Sequence, residues 1–99
     1  MPAYAIGRLR SKNWSWLREY APITAALIEK HGGRYLARGG EVQRLEGEEE
    51  VPDAYVMLEF PSMEHARAWY TDPEYAPMIE LRRANSEIEF VLVDGLPVD

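Results

Sequence analysis

Hydrophobic and polar positions along this chain follow two rhythms. In AYAIGRLR (Ala3–Arg10) they alternate with the two-residue period of a strand, and Gly7 marks a close approach by a neighbouring backbone or side chain. After a polar break in which Asn13 is placed to cap a helix, residues 14–31 change period: Trp14, Leu17, Tyr20, Ala21, Leu27 and Ile28 share one helical stripe. Pro22 removes one backbone hydrogen bond from this stripe, which predicts a kink or two shorter helices. Gly32 stands where a helix closes on a left-handed residue. Residues 33–38 read as a short strand, continued by 41–45 beyond a break at Gly39-Gly40. Residues 46–53 (EGEEEVPD) form a charged turn, and Ala54–Phe60 is the next strand. Pro61 stops it, and Ser62 caps a helix carrying Met63, Ala66, Trp69 and Tyr70; the acid of its capping box, Glu64, stands two positions after the cap rather than three. Asp72-Pro73 opens a second short helix through Met78, Ile79 and Leu81, residues 86–94 form a last strand, and residues 95–99 a tail.

Strand, helix, strand, strand, helix, strand is the ferredoxin-like βαββαβ order, an α+β fold with an antiparallel sheet and helices on one face. Residues 1–99 read as a single domain of this kind, without repeat or linker. Parity divides each strand between two faces. Ala5, Gly7, Leu9, Tyr35, Ala37, Val56, Leu58, Phe60, Ile88, Phe90 and Leu92 make an apolar face for the helices to cover. The opposite set is mixed: Tyr4, Ile6, Arg8, Arg10, Arg34, Leu36, Arg38, Tyr55, Met57, Glu59, Glu89, Val91 and Val93. It is too apolar to be left to water, and the helices cover only one face. A second copy of the sheet is the simplest cover, which predicts a homodimer through sheet faces.

Composition narrows the partners. Seventeen acidic residues against 11 basic give a net charge of −6, opposite to the basic face of a nucleic-acid binder. The chain has no cysteine, so neither a disulfide framework nor a thiolate site arises. No apolar run reaches the length of a signal peptide core or a membrane span. The expectation is a cytoplasmic protein with no nucleic-acid or membrane partner.

GGRYLARGGE, LEFPSMEHARAWYTDPEY and IEFVLVDG, together with YAIGRLR near the start, resemble a small bacterial family, domain of unknown function 1330, of the dimeric α/β-barrel superfamily. The resemblance spans nearly the whole chain; Pro77 and the EEE turn depart from the family's usual pattern outside the matching blocks. It implies a ferredoxin-like subunit whose sheet packs on a partner's sheet. It implies no reaction, since superfamily members range from monooxygenases on aromatic polyketides to haem peroxidases and stress-response domains. It also implies that the gap between helices and sheet is where a small ligand would sit.

The candidate chemistry is sparse. Neither glycine pair opens a helix, as a phosphate cradle requires, so Gly32-Gly33 reads as a helix stop and Gly39-Gly40 as a bulge. On the mixed face Arg8 and Glu59 lie on neighbouring strands and are expected to pair as an ion pair that fixes the dimer, the alternative being an anion site with Arg8 and Arg38 as forked donors. Trp69, Tyr70 and Tyr75 form an aromatic cluster whose helical spacing is more usual for core than for a ligand box but whose polar ends need partners, and Arg82 either faces the same gap or caps its helix. Arg38, Trp69, Tyr70, Tyr75 and Arg82 are therefore the candidate ligand-binding set. His31 and His65 belong to no ligand array, and no nucleophile elbow occurs, so no metal, cofactor or catalytic residue is assigned. Three readings remain open: a homodimer binding a small ligand in the helix–sheet cleft, a cofactor-free monooxygenase- or isomerase-like enzyme on a small aromatic or hydrophobic acid, and a structural or stress-response dimer without a ligand.

Overall fold

The computed structural model describes residues 1–97; Val98 and Asp99, the end of the expected tail, lie outside the described residues. In β1 (Ala3–Arg10) every second residue is buried, and the small side chains of Ala3 and Ala5 leave room for a helix to settle on the strand. α1 (Leu17–Lys30) begins later than its apolar stripe. Asn13 accepts a hydrogen bond from the Ser15 N–H at 2.8 Å and folds a turn ahead of the helix instead of capping it. α1 then runs through Pro22 as one element, not as two short helices. Pro22 and Arg18, whose carbonyl loses its partner, both lie on the exposed side, where solvent can replace the missing bond. The helix closes as expected, with Gly32 at φ +78°: the Gly33 N–H donates to the Ile28 carbonyl at 2.8 Å and the Gly32 N–H to the Glu29 carbonyl at 3.0 Å.

β2 (Arg34–Arg38) departs from the simple alternation. Tyr35 pairs with Leu58 but Ala37 pairs with Met57, so the bulge lies inside the strand at Leu36 and not at Gly39-Gly40. The extra residue exchanges the faces of Ala37 and Arg38. Arg38 stands opposite Val56 on the helix-covered side, and Ala37 opposite Met57 on the other, each reversed from the parity expectation. Gly39 and Gly40 both take positive φ, 72° and 83°, and lead the chain out of the sheet; the expected continuation over residues 41–45 is not a strand.

Next along the chain come β3 (Ala54–Phe60) and α2 (Met63–Tyr70). Ser62 caps α2 by accepting the His65 N–H at 3.1 Å, and its hydroxyl meets His65 Nδ1 at 2.7 Å. His65 thus takes the third helical position that an acid fills in a full capping box. α3 (Ala76–Asn85) and β4 (Glu87–Asp94) complete the chain. The sheet order is β2-β3-β1-β4 with every neighbouring pair antiparallel, and the fold is ferredoxin-like α+β. α2 packs on β1, β3 and β4, α1 meets α3, and Ile28, Leu58, Phe60, Trp69, Tyr75 and Met78 form the centre of the core. Each such side chain contributes about 1.5–3 kcal/mol by its burial.

The other sheet face carries no covering element among the described residues: Leu36, Val91 and Val93 are 43, 54 and 44% exposed. The expected Arg8–Glu59 pair does not form there. In the antiparallel register Arg8 lies opposite Tyr55 and Glu89, while Glu59 lies opposite Tyr4 and Arg34, so the two stand at opposite ends of the strands. Arg8 reaches Glu49 and Glu89, each at 3.7 Å, and Glu59 accepts from Arg34 Nε at 2.9 Å. Glu50 of the acidic turn pairs with Arg10 at 3.0 Å while its side chain stays mostly exposed, an ion pair worth ~0–1 kcal/mol.

Candidate functional site

Between the helices and the sheet lies a cavity of about 730 Å³. Tyr20 and Thr24, one helical turn apart on α1, form one wall with Trp16 from the preceding turn; Trp69 of α2 and Arg82 of α3 form another. The sheet supplies Tyr35, Val56 and Phe90 as the floor, and Arg38 enters only because the β2 bulge turns it to this side. Gly7 shapes the floor: a Cβ there would lie 2.9 Å from Val56 Cγ1 and 3.3 Å from Phe90 Cε1, so its absence lets these two side chains close over β1.

Arg82 is the unusual member. It is 1% exposed, yet among the described residues no carboxylate lies within ion-pair distance of it. Its partners are phenols. Nη1 donates to Tyr75 Oη at 2.9 Å and Tyr20 Oη at 3.2 Å, Nη2 donates to Tyr70 Oη at 3.4 Å, and the Phe90 ring centroid lies 5.5 Å from Cζ. Tyr20 and Tyr75 are joined by a further hydrogen bond of 2.5 Å. Burial opposes the Arg82 charge, but the oxygens of Tyr20 and Tyr75 outweigh it and hold the guanidinium pKa above its ordinary value. Burial drives the Tyr75 phenol far upward in turn, so Tyr75 stays neutral. On the floor, the Arg38 guanidinium sits 4.7 Å from the Tyr35 ring centroid; burial raises the Tyr35 phenol, and Arg38 acts against that rise.

Three wall residues hold a buried polar atom without a hydrogen-bond partner in the protein: Thr24 Oγ1, Trp69 Nε1 and Arg82 Nε. Buried groups of this kind are rare and each costs about 1–3 kcal/mol when unmet. Among the described residues the one acid on the wall, Asp53, already accepts the Ser11 N–H at 3.0 Å.

Of the candidates named from the sequence, Arg38, Trp69 and Arg82 meet at the cavity. Tyr70 and Tyr75 do not line it. Tyr75 is fully buried, stacked 4.9 Å from Trp69, and both tyrosines act by holding Arg82. Arg8 and Glu59 belong to the opposite face. Tyr20, Thr24 and Tyr35 are additions; a threonine four residues after a tyrosine on the buried stripe of α1 was the available signal. Neither histidine borders the cavity: His31 Nε2 meets Asp72 Oδ2 at 2.8 Å and His65 serves the α2 cap. Among the described residues, no group of three or more His, Asp or Glu side chains gathers as a metal site, and no helix is long and apolar enough to cross a membrane.

A family model described as Domain of unknown function (DUF1330) matches residues 2–96. No curated protein matches the chain. Among solved structures, a protein of unknown function from Rhodopseudomonas palustris is similar with TM-score 0.76 and 18% identity, over 98% of this chain and 84% of that one. A dimeric ferredoxin-like protein of unknown function from Jannaschia sp. CCS1 superposes with TM-score 0.69 and 16% identity, over 96% of this chain and 100% of that one. SnoaB, a cofactor-independent oxygenase from Streptomyces nogalater, gives TM-score 0.65 and 15% identity, over 98% and 95% of the two chains. At these identities the likeness is one of fold.

Proposed function

The chain belongs to the DUF1330 family, and from that premise we propose that it is a homodimeric protein that binds a small molecule in the cavity between its helices and its sheet. The observation that carries this reading is a cavity of about 730 Å³ between helices and sheet, lined mostly by apolar side chains with the less buried polar side chains of Tyr20, Tyr35 and Arg38 among them. A cavity of that volume suits a drug-sized ligand, and a mostly apolar wall with a few converging polar groups is the usual build of such sites. A wall that existed only to fill the core would close on itself and leave no cavity of this size. Dimerisation is supported by the apolar sheet face that no described element covers and by the dimeric neighbour of the same fold. Native mass spectrometry of freshly purified protein tests both parts at once. The expected spectrum shows a dimer, with adducts lost on Trp69→Ala; a monomer sinks the dimer, and a failure of aromatic and aliphatic ligand libraries to bind sinks the site.

A cofactor-free oxygenase is the second reading, favoured by the likeness to SnoaB. Oxidation without a cofactor must draw its electrons from the substrate itself, so the site would have to hold an electron-rich anion. Tyr20 suits that task, as a cavity-lining hydroxyl held by the Arg82 guanidinium at 3.2 Å. Dioxygen consumption on adding a cavity ligand that carries an ionisable enol or phenol tests it; binding without consumption leaves the first reading alone.

A further inference from the structure

Resting on the small-molecule reading of the cavity, we infer that the site selects an aromatic carboxylate over its neutral counterparts, and that the Tyr20 hydroxyl is the group that reads the charged oxygen. Hydrogen-bonding capacity decides the assignment. Nη1 of Arg82 gives its two N–H bonds to Tyr20 and Tyr75. These two phenols share one hydrogen bond, which uses only one of their two protons. Tyr75 is fully buried and does not line the cavity, whereas Tyr20 does. The arrangement that leaves no buried proton unmet has Tyr75 donating to Tyr20 and Tyr20 donating to the occupant.

The remaining capacity has the same sign. Nε and Nη2 share one edge of the guanidinium plane, and on that edge Nε has no partner while Nη2 has only the 3.4 Å contact to Tyr70. That edge is closed off by the protein, Arg82 being 1% exposed, so its charge reaches an occupant through Tyr20 and not by direct contact. Trp69 Nε1 is a donor and nothing else, and Thr24 Oγ1 can give or accept. The wall therefore offers the Tyr20 hydroxyl, backed by a buried positive charge within ion-pair distance of no described carboxylate. An anion beside Tyr20 gains from the field of that charge, and a neutral or cationic occupant does not. The rest of the occupant is specified by Trp16, Tyr35 and Phe90, whose rings suit a planar aromatic body.

The test uses matched pairs: benzoate, 2-naphthoate and anthracene-2-carboxylate, each against its primary amide, by calorimetry and by the chemical shift of the Trp69 indole N–H. The expected result is binding of at least one carboxylate about ten-fold or more tighter than its amide, with the indole resonance moving. Tyr20→Phe should lower carboxylate affinity about ten-fold while changing that of the amide about two-fold or less, a size expected for one charge-assisted hydrogen bond. Amides that bind as tightly as the acids overturn the charge selection and leave the cavity reading standing. If neither series binds, both readings fall. Unchanged carboxylate preference in Tyr20→Phe overturns the role of Tyr20 alone. The acid–amide comparison is made on the unaltered protein, so it decides the question even where a variant folds poorly.

Discussion

At the scale of single residues, Thr24 shows how a polar side chain on a core stripe can stand without a partner. It sits on α1 at 2% exposure with its hydroxyl unpartnered, beside Leu27 and Ile28, where a valine of nearly the same shape would fit. Thr24→Val is expected to stabilise the ligand-free protein by about 1 kcal/mol, because it removes an unmet hydroxyl at constant volume. The same change should weaken the cavity ligand. A fall in melting temperature would mean that the hydroxyl has a partner in the folded protein and is ordinary structure. Arg82 carries the same lesson more strongly. Its residue type and its neighbours Tyr70 and Tyr75 were legible in the sequence, since aromatic side chains with polar ends within a helical turn or two must find partners. What the sequence did not disclose was Tyr20, sixty-two positions away from Arg82, which the fold brings to 3.2 Å.

At the scale of elements, period and punctuation found the four strands and three helices but set the start of α1 too early and extended β2 over 41–45. Alternation assumes an unbroken ladder, so a bulge at Leu36 was enough to move Arg38 from the sheet-packing face to the cavity. Gly39-Gly40 drew attention as the irregular point, but its role is to turn the chain, with φ 72° and 83° and open space around both. Gly39→Val or Gly40→Val is expected to lower stability by about 1–2 kcal/mol, the cost of a β-branched side chain at positive φ, seen as a lower melting temperature with or without added phosphate. An unaffected melting temperature would show that the turn relaxes freely. The connection between α2 and α3 depends instead on Asp72, buried at 7% exposure, which holds Lys30 Nζ at 2.9 Å, His31 Nε2 at 2.8 Å and the Glu74 N–H at 2.9 Å. These bonds tie the C-terminus of α1 to the start of α3. His31, the Glu74 N–H and Lys30 together hold the Asp72 carboxyl far below its ordinary pKa. A depressed carboxylate contributes its full stability above its ordinary pKa and loses it progressively as pH falls from there toward the depressed value. Asp72→Asn should therefore melt below the wild type at about pH 5 and above, and the gap should narrow as pH falls below ~4. A gap that persists unchanged at about pH 2 would assign the loss to shape rather than charge.

At the scale of the whole molecule, one sheet and one helical layer leave an α+β subunit only 17 Å across its shortest extent, with an apolar face open on the side away from the helices. That the face exists was readable from parity on β1, β3 and β4, because those strands carry no bulge. Its centre is the row Met57–Ile6–Val91, three residues set side by side across β3, β1 and β4. A charge placed in that row separates the two ways the face can be used. If a second copy packs there, Met57→Asp buries a carboxylate with no partner among Ile6, Val91 and Tyr4, and the several kcal/mol of desolvation exceed what a dimer of this size can absorb. The expected outcome is a monomer by light scattering at micromolar concentration, with far-ultraviolet circular dichroism unchanged, since Met57 makes no contribution to the helix-covered core. Glu87→Gln, on the exposed rim of β4, should leave the dimer intact and serves as the matched control. If the face is instead open to water, Met57→Asp costs almost nothing and the molecular mass is the same before and after. The cavity lies on the other side of the sheet, so loss of the dimer without loss of ligand binding would show that each subunit carries a complete site, whereas loss of both would show that the paired sheets hold the cavity floor in shape.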